Sequence, residues 1–269
     1  TNSVINVYNS CDGFRIDNNS PYTFNEINYI YHARSYATGD HFNYYPVSNF
    51  GPATIRKITL DTQVPHGIRV AGGMVDTIIS TNAHNTNPSI TNGDVKYLHF
   101  ESSTVKHIEF EVEKNGNYYF MEYRNFFDDR SGSYTYDNYN YYSLINIYAE
   151  NSTINTIIER GTYQSQYYPF SQYIYFSNNF NFLNNSNIYN LDVLNTSILT
   201  VNNNCLIQNA KIDQLLKIVD FRNSTLDTLL VLKRSESNFN SSTLGRLTYR
   251  DTAIVTGNSN SANYLYFDN

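Results

Sequence analysis

A short phrase recurs along this chain: SSTVKHIEFEV from Ser102, NSTINTIIE from Asn151, NSTLDTLLVL from Asn223 and SSTLGRLTY from Ser241. Aligned, the copies read as a small or polar pair, an apolar residue, two polar residues, then apolar, any, apolar. Ile55-x-x-Ile58-x-Leu60, Val95-x-x-Leu98-x-Phe100, Val105-x-x-Ile108-x-Phe110, Ile188-x-x-Leu191-x-Val193, Leu226-x-x-Leu229-x-Val231 and Leu244-x-x-Leu247-x-Tyr249 fit in full. Val75-x-x-Ile78, Ile154-x-x-Ile157, Ile198-x-x-Val201 and Ile212-x-x-Leu215 fit in part. The tail of each copy alternates with period two, as a strand with one buried face does. The two polar residues ahead of the tail break that alternation, which predicts a corner that turns the chain while apolar side chains stay inward.

The starts at Ile55, Val75 and Val95 are twenty residues apart, and Leu206, Leu226 and Leu244 continue at nearly that interval. One short strand cannot bury its apolar face alone, but turns of this size stacked about 4.8 Å apart build a continuous core and pair each backbone with the next. The expectation is an all-β, single-stranded β-solenoid (a parallel β-helix), with Ile55, Val75 and Val95 in one column. Copies ten residues apart, such as Val95 and Val105, fit two sides of one coil. The alternative is a β-sandwich or jelly roll, whose strands also alternate between Asn and Gly turns. Asn suits solenoid corners because it tolerates left-handed backbone angles and its amide can hydrogen-bond from turn to turn.

Composition agrees with this reading. The chain has 26 Tyr, 16 Phe, no Trp and about forty Asn, which are strand and turn formers, while amphipathic helical stretches are scarce. A formal net charge of −6 without any basic run speaks against nucleic acid or anionic lipid as partner. No apolar run is long enough to insert in a membrane as a helix. Thr1 in place of an initiator Met suggests a processed or trimmed chain. Cys11 and Cys205 lie far apart in sequence and are expected to stay unpaired.

The chain divides into a non-repeat segment 1–50, expected to cap an open end or form an interface, a solenoid over 51–256 with an insertion at 114–142, and a tail 257–269. The insertion, KNGNYYFMEYRNFFDDRSGSYTYDNYNYY, and a second aromatic stretch, TYQSQYYPFSQYIYFSNNFNF, carry the clearest functional signal. Tyr joins a flat apolar face to a hydroxyl and Asn supplies donor and acceptor, a pairing suited to sugar rings and to protein interfaces. Tyr134, Tyr136, Tyr139, Tyr141, Tyr163, Tyr167 and Tyr168 are therefore the candidate ligand-binding residues.

Polysaccharide cleavage needs two acids about 5 to 10 Å apart. The outward repeat positions mix acids and bases, among them Arg56, Asp76, Lys106, Glu109 and Asp192, so Asp128 and Asp129 beside Arg130 are the best local pair. His99 and His107 are expected on neighbouring corners as a surface pair. The six histidines lack metal-ligand spacing, and no phosphate loop or nucleophile elbow occurs, so no cofactor is expected.

The irregular [ST]-h-x-x-h-x-h turns, Asn-rich corners and Tyr-rich insertions resemble the β-helical shafts and tips of bacteriophage tail fibres and tailspikes, and more loosely bacterial surface adhesins. The resemblance covers residues 51–255. It implies an extracellular or virion-surface protein, a trimer or other homo-oligomer, that presents a rigid surface to a cell-surface glycan or protein receptor. A polysaccharide depolymerase of the same shape and a purely structural assembly subunit are the alternatives.

Overall fold

A tight corner commonly takes positive φ on the residue that heads it, a conformation that is free for Gly, tolerable for Asn and costly for β-branched side chains. The computed structural model of the chain, which describes residues 3–8, 15–16, 22–31, 47–62, 66–81, 95–111, 120–121, 136–137, 144–160, 178–193, 197–213, 216–232 and 235–268, makes that choice at eight corners. They are headed by Gly72, Ser102, Asn151, Asn184 with Asn185, Asn203 with Asn204, Asn223, Ser241 and Ser259, at φ between 46° and 71°. Substituting Asn223 by Val puts a β-branched residue at φ 47°. The expected cost is about 1–2 kcal/mol in urea denaturation, with Asn223→Gly close to neutral.

Each corner joins two strands, and the pairs stack. The strands are β1 (Val4–Tyr8), β2 (Arg15–Ile16), β3 (Tyr22–Tyr31), β4 (Val47–Phe50), β5 (Ala53–Thr62), β6 (His66–Ala71), β7 (Met74–Thr81), β8 (Val95–Glu101), β9 (Thr104–Glu111), β10 (Phe120–Met121), β11 (Tyr136–Asp137) and β12 (Leu144–Glu150). They continue with β13 (Thr153–Arg160), β14 (Asn178–Leu183), β15 (Asn187–Val193), β16 (Ser197–Asn202), β17 (Leu206–Ile212), β18 (Leu216–Arg222), β19 (Thr225–Val231), β20 (Ser235–Asn240), β21 (Thr243–Tyr249), β22 (Ala253–Asn258) and β23 (Ser261–Phe267). Apart from the antiparallel pair β10–β11, odd strands form one 11-stranded sheet and even strands a 10-stranded sheet. Every pairing within both sheets is parallel, and each strand bonds to its counterpart in the next coil. The fold is a parallel β-solenoid of two faces, and the sandwich alternative, with its antiparallel strands, is excluded. The ladder also outruns the legible repeat: β1 and β3 extend the odd sheet at one end and β23 at the other.

The core is a set of vertical columns between the sheets. Ile55, Val75, Val105, Ile154, Ile188, Ile207, Leu226 and Leu244 follow one another in register, all buried. Val95 is not among them. It pairs with Leu144 in the even sheet, because the segment 82–94 displaces the next coil and the second copy of the motif, at Val105, takes the place in the column. Leu206 is likewise one residue out of step, since Ile207 is the one in register with Leu226. In the even sheet, Phe50, Val70, Phe100, Ala149, Phe182, Val201, Phe221 and Phe239 form one column that mixes large with small residues.

The polar pair inside the motif is not the corner. In β19 the burial runs inward at Leu226, outward at Asp227 and Thr228, and inward again at Leu229. Two successive outward residues bend the strand, and the first of them drops out of the pairing in each coil. The corner is the small pair ahead of the motif, and its second residue turns inward. There Ser103, Ser152, Ser186, Ser224 and Ser242 are buried. Their hydroxyls donate to carbonyls near their own corner: Ser152 Oγ to Glu150 O at 2.8 Å, and Ser224 Oγ to Arg222 O at 2.8 Å. The same oxygens accept the amide of the previous coil, Ser103 N to Ser152 Oγ at 3.1 Å and Ser224 N to Ser242 Oγ at 3.4 Å. A buried polar ladder thus satisfies the corner backbone. Cys205 takes a serine's place in it as a free thiol, and burial pushes its pKa up, which keeps it protonated and unreactive.

Candidate functional site

The two corners of each coil differ. From β4 onward, and apart from the β10–β11 pair, even strands pass to odd strands through two or three residues, whereas odd strands return to even strands through segments that range from 213–215 to 112–143. The segments 32–46, 82–94, 112–143 and 161–177 therefore all begin and end on the same edge of the solenoid, and three of them interrupt successive coils. Both Tyr-rich stretches belong to this group. Tyr134, Tyr139, Tyr141, Tyr163, Tyr167 and Tyr168, like Asp128 and Asp129, lie outside the described residues. Tyr136 is described in its backbone alone, which pairs with Met121 in the antiparallel ladder.

The described residues hold a cluster that spacing did not reveal. It lies on the outward face of the even sheet, where β6, β8, β12 and β14 run side by side. Register places Arg69 beside His99 and His99 beside Tyr148, with Glu101 beside Glu150 in the next column. Arg69 donates to both oxygens of Glu101 at 2.8 Å, and His99 Nε2 lies 2.9 Å from Glu101 Oε1. The His99 and Tyr148 rings meet edge to face at 4.5 Å. Tyr148 donates its phenol to Glu150 Oε2 at 3.1 Å, and Asn184, at the corner of the following coil, donates to Glu150 Oε1 at 2.6 Å. One continuous network thus crosses four coils. Its two carboxylates stand on adjacent strands, each held by hydrogen bonds from its neighbours.

The signal for this cluster was present but scattered. HFESST at His99–Thr104 and YAENST at Tyr148–Thr153 share one pattern, an aromatic or imidazole ring, an inward residue, Glu, then the corner. The 112–143 segment separates them in sequence, so their adjacency depends on which coil stacks on which.

Around the cluster the surface is lined with amides in register. Asn179 donates to Asn146 at 3.0 Å on the same face, and Asn203 to Asn184 at 3.0 Å at the corner. Turn-to-turn Asn pairing therefore occurs, at corners and on open faces, as Asn209 to Asn190 at 3.2 Å on the odd sheet also shows.

The odd sheet's outward charges neutralise one another between coils. Lys106 meets Asp76 at 2.6 Å, Arg160 meets Glu109 at 3.2 Å and Lys211 meets Asp192 at 3.4 Å. His107 hydrogen-bonds Glu109 at 3.1 Å and, with Arg160, holds its carboxyl below the usual range against a smaller opposing effect of burial. His99 and His107 do not share an edge. They project from opposite sheets of one coil, because the corner at Ser102–Ser103 turns the chain between them. Among the described residues no three His, Cys, Asp or Glu side chains group as metal ligands.

Set against family models, curated proteins and solved structures, the chain matches none, so fold and site rest on their own geometry.

Proposed function

We propose that this is a receptor-binding solenoid of a virion fibre or cell-surface appendage, which engages glycan through the edge that carries the Tyr-rich segments and the adjoining even-sheet face. The observation that carries the reading is the common origin of those segments: 112–143 and 161–177 leave one edge in adjacent coils and enter the even-sheet face whose opposite edge carries the Arg69–His99–Glu101–Tyr148–Glu150–Asn184 network. Amides and carboxylates match sugar hydroxyls, and aromatic rings match the apolar faces of pyranoses. A hydrogen-bonded stack of coils suits a stiff support, since each coil is braced by the next.

The test is binding to a panel of capsular and cell-wall polysaccharides by calorimetry. Wild type is expected to bind at least one. Replacing Tyr134, Tyr136, Tyr139 and Tyr141 together by Ser is expected to weaken that binding at least about tenfold, a loss of about 1.4 kcal/mol, without moving the melting temperature. Equal affinity of the variant would overturn the reading.

A second reading, glycan hydrolysis, is favoured by the in-register pair Glu101 and Glu150, since carboxylates on adjacent strands have the separation such chemistry uses. In that case the same incubations release reducing ends, and Glu150→Gln abolishes the release while binding persists.

A further inference from the structure

We infer that the Glu150 carboxylate receives an ammonium group, so that the glycan this protein engages carries amino sugars whose nitrogen is free and protonated. The inference rests on the glycan reading and deepens it, by naming the sugar class that the even-sheet face selects.

The observation behind it is an imbalance of charge. Along the outward faces, acids are matched by cations: Glu26 by Lys57, Asp76 by Lys106, Glu101 by Arg69, Glu109 by Arg160, Asp192 by Lys211 and Asp220 by Arg222. Glu150 is half-buried, yet its partners among the described residues are two neutral donors, the Tyr148 phenol at 3.1 Å from Oε2 and the Asn184 amide at 2.6 Å from Oε1. Arg69, on the same face, is bound to both oxygens of Glu101 instead. Asp227 on the odd sheet also lacks a cation, but it is exposed and no hydrogen bond among the described residues fixes its carboxylate. Glu150 is therefore a held carboxylate with its charge unmatched. Two donors use two of its about four lone-pair positions, and the partner that suits the others is a cationic donor, whose hydrogen bond to a carboxylate is the stronger kind.

The surroundings specify what carries that cation. The outward side chains of β12 and β14 are Asn146, Tyr148, Glu150, Asn179, Asn181 and Leu183, so Glu150 is the one charge among six. Asn179 donates to Asn146 at 3.0 Å, and both amides keep donor and acceptor positions to spare. Amides suit hydroxyls, and the Tyr148 ring suits the apolar face of a pyranose. A calcium ion needs about six to eight oxygen ligands, which one carboxylate among amides does not supply. A basic peptide brings charge without hydroxyls. An amino sugar brings an ammonium flanked by hydroxyls on a ring, the mixture that this face matches, and the net charge of −6 draws a cationic chain toward it.

Calorimetry of the full 269-residue chain with two oligosaccharides of one backbone, hexaglucosamine and hexa-N-acetylglucosamine, tests this. Wild type is expected to bind the free-amine oligomer at least about tenfold more tightly, by a margin that shrinks as salt is raised. Glu150→Gln is expected to bring the two affinities together with the far-ultraviolet circular dichroism unchanged. Asp227→Asn, which removes the same charge from the odd sheet, is expected to leave the difference intact. Equal affinities in wild type overturn the inference without recourse to any variant. So does a preference that survives Glu150→Gln, or one lost equally in Asp227→Asn, which would trace it to net charge. Hexalysine that binds more tightly than hexaglucosamine would make the partner a basic peptide and overturn it too. If neither oligomer binds while a neutral polysaccharide does, the amino-sugar inference falls and the glycan reading stands; if no polysaccharide binds, both fall.

Discussion

Replacing Ile157 by Asp is expected to destroy the cooperative fold. Ile157 is fully buried and stands between Ile108 and Leu191 in an aliphatic column. A carboxylate there loses its water and finds no hydrogen-bond donor in that column, a cost of at least about 4 kcal/mol, which is much of the stability of an ordinary domain. The consequence extends beyond one coil. In a stack whose members touch only their neighbours, a failed inner coil disconnects what lies on either side. Urea denaturation followed by circular dichroism should change from one transition to two or more, with limited proteolysis cutting near Ile157. The same substitution at Leu265, which follows Leu247 in that column but is 45% exposed, is expected to cost under about 1 kcal/mol. If Ile157→Asp melts like wild type, the inward columns are not what holds the coils together.

The second large effect is expected from Phe221→Ala. The ring is fully buried between Val201 and Phe239 in the even sheet and meets Phe239 edge to face at 5.5 Å. Truncation removes the transfer free energy of the ring and leaves a cavity that hydrogen-bonded strands on both sides cannot close, for an expected loss of about 3–5 kcal/mol in equilibrium denaturation. Phe221→Leu, which keeps most of the volume, should lose less than half as much. A buried phenol in the neighbouring stack reports on the same core. Tyr249 is pushed up to about 12 by burial, despite its bond to Ser237 Oγ at 3.1 Å, so it should resist ionisation in an alkaline titration until the fold gives way.

Much of this architecture was legible from residues alone. The alternation at Leu226, Leu229 and Val231 identified inward faces correctly, and the Asn of the corners announced positive φ, though Ser102, Ser241 and Ser259 take it as well. The two errors have separate origins. The doublet Asp227–Thr228 was read as a corner because two adjacent polar residues break alternation both at a corner and at a bend within a strand. The distinguishing feature lay ahead of it, in the pair Asn223–Ser224, whose first member takes φ 47° and whose second is buried. Val95 was misplaced because an interval of twenty residues measures a coil only while the connections are short.

Local chemistry determined the strands, the corners, the inward residues and hence the coil, because side-chain alternation and backbone sterics act over a few positions. Which coil lies on which was decided by tertiary structure. A parallel stack sets neighbours by hydrogen-bond register, regardless of whether the intervening segment is 213–215 or 112–143. That is why Glu101 and Glu150, far apart in the chain, share one network.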